Sequence, residues 1–366
     1  MAEYKSNLKE IAWLFLKLGI TGFGGPAAHT AMMRSEMVVK RKWFSDQHFL
    51  DMVGATNLIP GPNSTELAIH IGHERGGWKG LIIAGLCFVL PAVLITGVFA
   101  WFYKQYGQLP EIQPYIYGIK PAIIAIILGA VFPLAQKTIK SGLLGIIGIT
   151  VAILSLLGIG EIYLMFGAGI LFLVLNYSRT KTYTIFPIPL LATVSGTSLF
   201  LIFFKIGAIL YGSGYVLFAF LDSELVSTGI LSRQQLIDAI AVGQFTPGPV
   251  FSAVTFVGYQ ISGLTGATLA TVGIFLPSFV FVAILNPLVR KMRNSARFSA
   301  FLDAVNVASI AIIAAVCFEM GKEVIVDWKT LLIAVFGAVV AFGFRKVNSA
   351  FVVWGGSVIG YLLTLI

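Results

Sequence analysis

Apolar runs of about twenty residues, parted by short polar stretches, recur along almost the whole chain, and each is long enough to cross a bilayer's hydrocarbon as a helix. The runs predict ten helices: about 11–33, 79–103, 112–136, 142–158 and 160–177 in the first half, then about 195–220, 264–289, 299–319, 330–344 and 348–366 in the second. Between the first and second run of each half lies a further segment, about 47–73 and 233–260. Pro60-Gly61-Pro62 interrupts the one and Pro247-Gly248-Pro249 the other. Two prolines withdraw backbone donors and end a helix, so each segment is predicted to enter and leave one face as a broken hairpin.

The two halves repeat each other. Phe15-Leu16-Lys17-Leu18-Gly19 returns as Phe203-Phe204-Lys205-Ile206-Gly207, Asp51 as Asp238, the first Pro-Gly-Pro as the second, Gly72 as Gly258, and Leu90-Pro91 as Leu276-Pro277. Matches kept in register over so long a stretch mark an internal duplication. Charge then sets orientation. The loop from Arg34 to Lys42 holds Arg34, Lys40, Arg41 and Lys42 against Glu36, whereas its counterpart holds Asp222, Glu224 and Arg233. Lys104 and Glu111 cancel, while the matching later loop carries Arg290, Lys291, Arg293 and Arg297. Positive loops stay cytoplasmic, so equivalent loops are expected on opposite sides and both termini outside. The expected fold is an all-α polytopic membrane protein. It has two inverted-topology repeats, residues 1–181 and 190–366, each of about five transmembrane helices plus one re-entrant Pro-Gly-Pro hairpin.

Composition narrows the class. With 57% hydrophobic and 11% charged residues, the chain has more apolar surface than one water-soluble core could hide, and no stretch is left for a soluble catalytic domain. The net charge of +9 is gathered in short loops, which suits anionic headgroups rather than nucleic acid. Cys87 and Cys317 sit inside apolar runs and suggest neither a disulfide framework nor a Cys-rich metal site. No cleaved signal is expected, and the chain is placed in the inner cell membrane as a multi-pass protein, with a homodimer allowed.

Inverted-repeat carriers hold substrate near the midplane, where broken helices meet. The first break offers Asn57, Pro60, Gly61 and Pro62, then Asn63, Ser64 and Thr65 at a helix beginning, where amides and a positive dipole end attract anions. The second offers Gln244, Thr246, Pro247, Gly248, Pro249 and Ser252. Lys17 and Lys205 lie at matching depth inside apolar runs. They precede Gly22, Gly24, Gly25 and Pro26 in one half and Gly212 in the other, so together they could counter a dianion. Glu66, His29 and His70 are candidates for proton coupling. Glu66, His70 and His73, spaced by four and three, form a metalloenzyme alternative, but the second half has Ala253, Val257 and Tyr259 in their places. No metal or other cofactor is expected.

The Phe-x-Lys-x-Gly run into Phe23-Gly24-Gly25-Pro26, the two Pro-Gly-Pro motifs and the duplicated organisation together resemble the chromate ion transporter family in its long, two-domain form. The resemblance covers essentially the full chain. It implies a carrier that exports chromate and confers resistance, with sulfate as a similar competing oxyanion. The second half departs from the first motif, having Gly212-Ser213-Gly214 where the first has Gly24-Gly25-Pro26. With the interior negative, moving a dianion outward gains about 4.6 kcal/mol per 100 mV, so efflux needs no coupling ion. Uptake of sulfate or another oxyanion with protons is the alternative within transport.

Overall fold

The computed structural model describes residues 8–23, 25–177, 199–212, 214–293, 295–344, 347 and 349–365; among these the chain is helical and contains no strand. The first half comprises α1 (Leu8–Thr21), α2 (Gly25–Arg34) running into a π-helical turn at Ser35–Lys40, α3 (Asp46–Thr56), α4 (Asn63–Tyr106), α5 (Gln113–Thr138), α6 (Gly142–Leu156) and α7 (Glu161–Tyr177). The same order returns in the second half. It runs α8 (Leu199–Ile209), α9 (Val216–Leu221) into a π-helical turn at Asp222–Val226, α10 (Arg233–Phe245), a 3-10 turn at Val250–Ser252, α11 (Ala253–Arg293), α12 (Ala296–Val324), α13 (Trp328–Gly343) and α14 (Ser349–Thr364). Matched caps start matched helices: the Ser45 hydroxyl accepts from the His48 amide before α3, and that of Ser232 from the Gln235 amide before α10.

Among the described residues, four helical stretches are long and apolar enough to cross a membrane: Asn63–Tyr106, Gln113–Thr138, Val250–Ile284 and Ala296–Val324. Leu94, Ile146, Ile149, Ile284, Phe351 and Trp354 stand exposed on the outer surface, a distribution that hydrocarbon satisfies and water would not. The chain is an integral membrane protein.

α4 and α11 each contain a reversal. Gly77 (φ 57°, ψ −149°) and Gly263 (φ 60°, ψ −146°) leave helical geometry in a region open to glycine. A Cβ on Gly72 would strike the carbonyl oxygen of Gly80, and one on Gly258 that of Gly266. Residues eight apart in a straight helix stand about 12 Å apart along the axis, so each helix doubles back on itself at its glycine. Residues 63–76 and 253–262 are short arms that lead from the breaks to these turns. The longer arms, 78–106 and 264–293, run antiparallel to each other: Gly85 faces Phe279 on the α11 long arm, while the α11 short arm rises beside α4, Gln260 donating to the Ala100 carbonyl at 3.0 Å.

The first span expected in each half is not continuous. α1 stops at Thr21 and α2 starts at Gly25 with φ +77°. The chain then folds back, because Arg41 reaches Glu10 at 3.1 Å and Lys17 lies 3.7 Å from Glu36. In one straight helix the first pair would stand about 46 Å apart. The run 11–33 is therefore two short helices meeting in a V. The run 195–220 divides in the same way into α8 and α9, its first four residues lying outside the described ones. One further correction follows. Glu10, at the start of α1, sits with the basic loop of Arg41, so the N-terminal helix begins on the face of that loop and not opposite it. α14 ends at the other face, where Lys329 donates to the Leu363 carbonyl.

The later helices are exchanged between halves. α5 packs on α13 and α14, and α12 packs on α6 and α7, while α1 lies along α4 and α8 along α11. Gly118 admits Gly356 and Gly360 at backbone contact, a small-residue crossing of the kind that lets helices associate without a hydrophobic drive.

Candidate functional site

Each Pro-Gly-Pro break lies against the end of the other half's first helix, so the two breaks cross over between the halves. The Gly61 amide donates to the Leu210 carbonyl at 2.8 Å, and the Gly248 amide donates to the Gly22 carbonyl at 2.7 Å. Gly61 (φ +132°) and Gly248 (φ +90°) hold conformations that side chains rarely adopt. Pro60, Gly61, Pro62, Pro247, Gly248 and Pro249 are all buried. The crossing changes one expectation. The glycine amides of the motifs are spent on carbonyls of the opposite half and the Thr65 and Glu66 amides on the Pro62 carbonyl, so the donors left at the first break are the Asn63 and Ser64 amides and the side chains of this turn. Of these, Asn63 donates to Asn57 at 2.8 Å, Ser64 is buried, and Thr65 is wholly buried with its hydroxyl unpartnered.

Glu66 follows, with no exposed surface. Its Oε1 accepts from the Ser278 hydroxyl of α11 at 3.3 Å, and its Oε2 is buried without a hydrogen bond. A Cβ on Gly61 would lie 2.5 Å from both Glu66 Oε1 and Ser278 Oγ, so the carboxyl rests in the hollow that the glycine leaves. At the second break the matching places are Ala253 and Ala92, and a Cβ on Gly248 would meet the Ala92 methyl at 2.8 Å. Hydroxyls gather there instead. Thr96 of α4 donates to Ser252 at 3.3 Å and reaches Thr246 at 3.5 Å, all three being buried. Gln244 is buried beside Tyr215, with its amide nitrogen unpartnered. Ser309 of α12 donates to the Tyr211 carbonyl next to Gly212.

The lysines are not brought to this crossing. Lys17 is half-exposed beside Glu36, and Lys205 forms an ion pair with Glu224 at 2.6 Å. Glu36 and Glu224 keep the register of the repeat, so the duplicated cations come with duplicated anions, a signal the sequence carried and the motif reading passed over. Glu36 also receives Lys40 at 2.8 Å and Arg41 at 3.6 Å. That basic shell, led by the Lys40 hydrogen bond, holds its carboxyl below the usual carboxylate range.

Gly22 is buried, Gly25 and Pro26 open α2, and Gly24 lies outside the described residues. His29 donates through Nε2 to the Gly22 carbonyl at 2.9 Å, the same oxygen that Gly248 uses, so it braces the crossing. His70 is buried one turn beyond Glu66, and His73 turns to Trp78. Among the described residues no three His, Cys, Asp or Glu side chains gather as a group that could hold a metal ion. Asp51 accepts from Gln47. Asp238, its repeat partner, is buried, accepting from Tyr103 at 2.6 Å and facing Lys120 at 3.6 Å.

The model of the chromate transporter family matches this chain twice, over residues 9–173 and 197–361. The chain belongs to the chromate transporter family. It is 32% identical to a probable chromate transport protein of Synechococcus elongatus, over 93% of this chain and 91% of that one. It is 30% identical to the chromate transport protein of Cupriavidus metallidurans, over 97% and 92%. A shorter relative, the uncharacterized transporter YwrA of Bacillus subtilis, is 29% identical over 35% of this chain and 71% of its own. No solved structure matches. The two family matches divide this transporter where the element order restarts at α8.

Proposed function

We propose that this chain carries the chromate oxyanion across the inner cell membrane, outward, and that the anion is held where the two Pro-Gly-Pro breaks cross. The observation that carries the site is the reciprocal pair of hydrogen bonds from Gly61 to Leu210 and from Gly248 to Gly22. It leaves the first turn of α4 at the first break, and the Thr96, Thr246 and Ser252 hydroxyls and the unpartnered amide of Gln244 at the second. A tetrahedral oxyanion takes donors of these kinds without needing a formal positive charge. The two lysines stand outside this version of the site, acting through their glutamates.

The halves are inverted in this reading. Two observations support it: the antiparallel long arms of α4 and α11, and the contrast between the basic loop around Arg41 and the acidic one around Glu224. Two repeats of about five transmembrane helices give way to repeats with two broken elements each. In each, the V of α1 and α2 (or of α8 and α9) and the Pro-Gly-Pro hairpin enter from one face. Alternating access then works by moving the exchanged flanks, α5 with α13 and α14 and α12 with α6 and α7, about the crossing.

The test is chromate flux and current in proteoliposomes, with sulfate and phosphate as competitors. Electrogenic chromate movement that weakens in Gln244→Ala and Ser252→Ala supports the site; wild-type flux in both variants would remove it. Cysteines placed at 42 and 230, labelled from opposite faces of intact cells, support inversion, and labelling from one face would exclude it.

A further inference from the structure

Resting on the inverted, alternating-access reading, we infer that the chain stands with its outer mouth closed and its cytoplasmic mouth open, and that α12 closes the cytoplasmic mouth on α3 as α5 closes the outer one on α10. Matched positions in the two halves carry the difference. In α10, Ile237, Ile240, Ala241 and Gln244 are all buried. Their spacing of three and four puts them on one side of the helix, and that side runs down to the second break. The register that sets Asp51 against Asp238 puts Leu50, Val53, Gly54 and Asn57 on the same side of α3. Leu50 is 51% exposed against 0% for Ile237, Val53 and Gly54 are half-buried, and Asn57 is exposed. One side of one helix is covered, and the same side of its twin is open. Half-buried Asp51 and exposed Asn57 border the open side, so it faces water rather than hydrocarbon.

Flanking helices cover α10. It packs on α5 and α14: Lys120 of α5 donates to Gln234 at 2.7 Å and stands 3.6 Å from Asp238, and the Ser349 hydroxyl of α14 donates to the Gln244 carbonyl at 3.4 Å. Arg233, at the start of α10, reaches Glu323 of α12 at 2.9 Å. α3 packs instead on α2, α4 and α11, which belong to the crossing itself. Gln47 and Asp51 are the counterparts of Gln234 and Asp238, and here the glutamine donates to the aspartate of its own helix at 3.2 Å.

The repeat also says what covers α3 in the other state. Element order matches α5 with α12 and α14 with α7. Ala125-Ile126-Ile127 returns as Ala311-Ile312-Ile313, so Lys120 falls on Asn306, which is half-buried near Gly212. In the opposite state α12 and α7 lie on Leu50, Val53 and Gly54, the Asn306 carboxamide meets Gln47 and Asp51, and Lys120 leaves Asp238. An ammonium holds the outer closure and a neutral carboxamide the inner one, so the outer closure is the tighter of the two.

The experiment uses the full chain carrying Cys87→Ala and Cys317→Ala, in vesicles of both orientations, with a membrane-impermeant maleimide as the probe. Leu50→Cys is expected to react from the cytoplasmic side and Ile237→Cys to be protected. Adding Lys120→Asn is expected to raise labelling of Ile237→Cys from the outer side about tenfold, the shift that a lost hydrogen bond to a charged group allows, and to lower that of Leu50→Cys. In a second measurement a short bifunctional thiol reagent joins Gln47→Cys to Asn306→Cys, or Lys120→Cys to Gln234→Cys. Both pairs are expected to join within one chain, and each crosslink to stop chromate flux. Leu50→Cys that stays unreactive or reacts only from outside would overturn the inference. So would a crosslink of 47 with 306 between two copies, or none in protein that still carries chromate. Absence of chromate flux in the wild type, with both crosslinks formed, would instead remove the carrier reading and leave the two closures standing.

Discussion

The two breaks share a backbone and differ in chemistry. Both place a buried glycine at positive φ between prolines, and both send its amide to the end of the opposite half's first helix. The first then adds a carboxyl and the hydroxyl of Ser278, whereas the second adds Thr96, Thr246 and Ser252 and has alanines where the first has Glu66 and Ser278. Duplication preserved what the crossing needs geometrically. What each side offers to a ligand has diverged, so the halves are partners in shape and specialists in charge.

That contrast can be broken first at the glycines. Gly61→Ala places a methyl 2.5 Å from Glu66 and Ser278, while Gly248→Ala meets the Ala92 methyl at 2.8 Å and the Gly19 carbonyl oxygen at 3.3 Å. Backbone strain alone costs about 1–3 kcal/mol in each, so both variants should melt earlier in detergent, with Gly61→Ala the worse. Equal melting temperatures would mean that the carboxyl is not wedged against the first break. A second test concerns the hydroxyls. Ser252→Ala and Thr246→Ala should weaken chromate binding by about 1.5–3 kcal/mol if they donate to a charged ligand, seen as a raised KM at unchanged pH dependence. An unchanged KM in both would take these hydroxyls out of the anion site.

Smaller effects separate the lysines. Lys205, three-quarters buried and 2.6 Å from Glu224, should cost about 1 kcal/mol of stability when changed to alanine. Lys17, half-exposed and 3.7 Å from Glu36, should cost less. Neither change should raise the chromate KM; a large rise in both would return the lysines to the anion site. The smallest effect is at Glu36. Its folded carboxyl titrates below the unfolded one, so its contribution is present above the ordinary carboxylate range and lost as pH falls through the folded value. Thermal melts of Glu36→Gln and the wild type should therefore differ near neutral pH and converge in acid.

Much of the architecture was legible because hydrophobic runs and proline breaks act locally. The Pro-Gly-Pro interruptions and the membrane-spanning character follow from residues near one another in sequence, and the duplication from short motifs that return in register. The V of α1 and α2 was not legible as such. The run 11–33 is apolar enough to read as one span, and only the pairing of Glu10 with Arg41 reveals the fold-back. Gly77 and Gly263 fall in the short gaps between the expected segments and looked like ordinary loop residues, although each reverses a helix. The lysines misled for a related reason. A cation in an apolar run signals a counter-charge, but the sequence does not say whether that charge is a ligand or a glutamate 19 residues on. Ser278 and Thr96 carried no motif, since their importance comes from packing against the other half's break.

The exchange of the later helices bears on how the protein is made. Tyr117 near the start of α5 hydrogen-bonds Asp327, 210 residues later, and Gly118 has its place only against Gly356 and Gly360 of α14. A ribosome emitting the chain from its N-terminus delivers α5 long before α13 and α14 exist. The first repeat must therefore wait in the bilayer with a glycine-lined seam open to lipid until α14 arrives to close it.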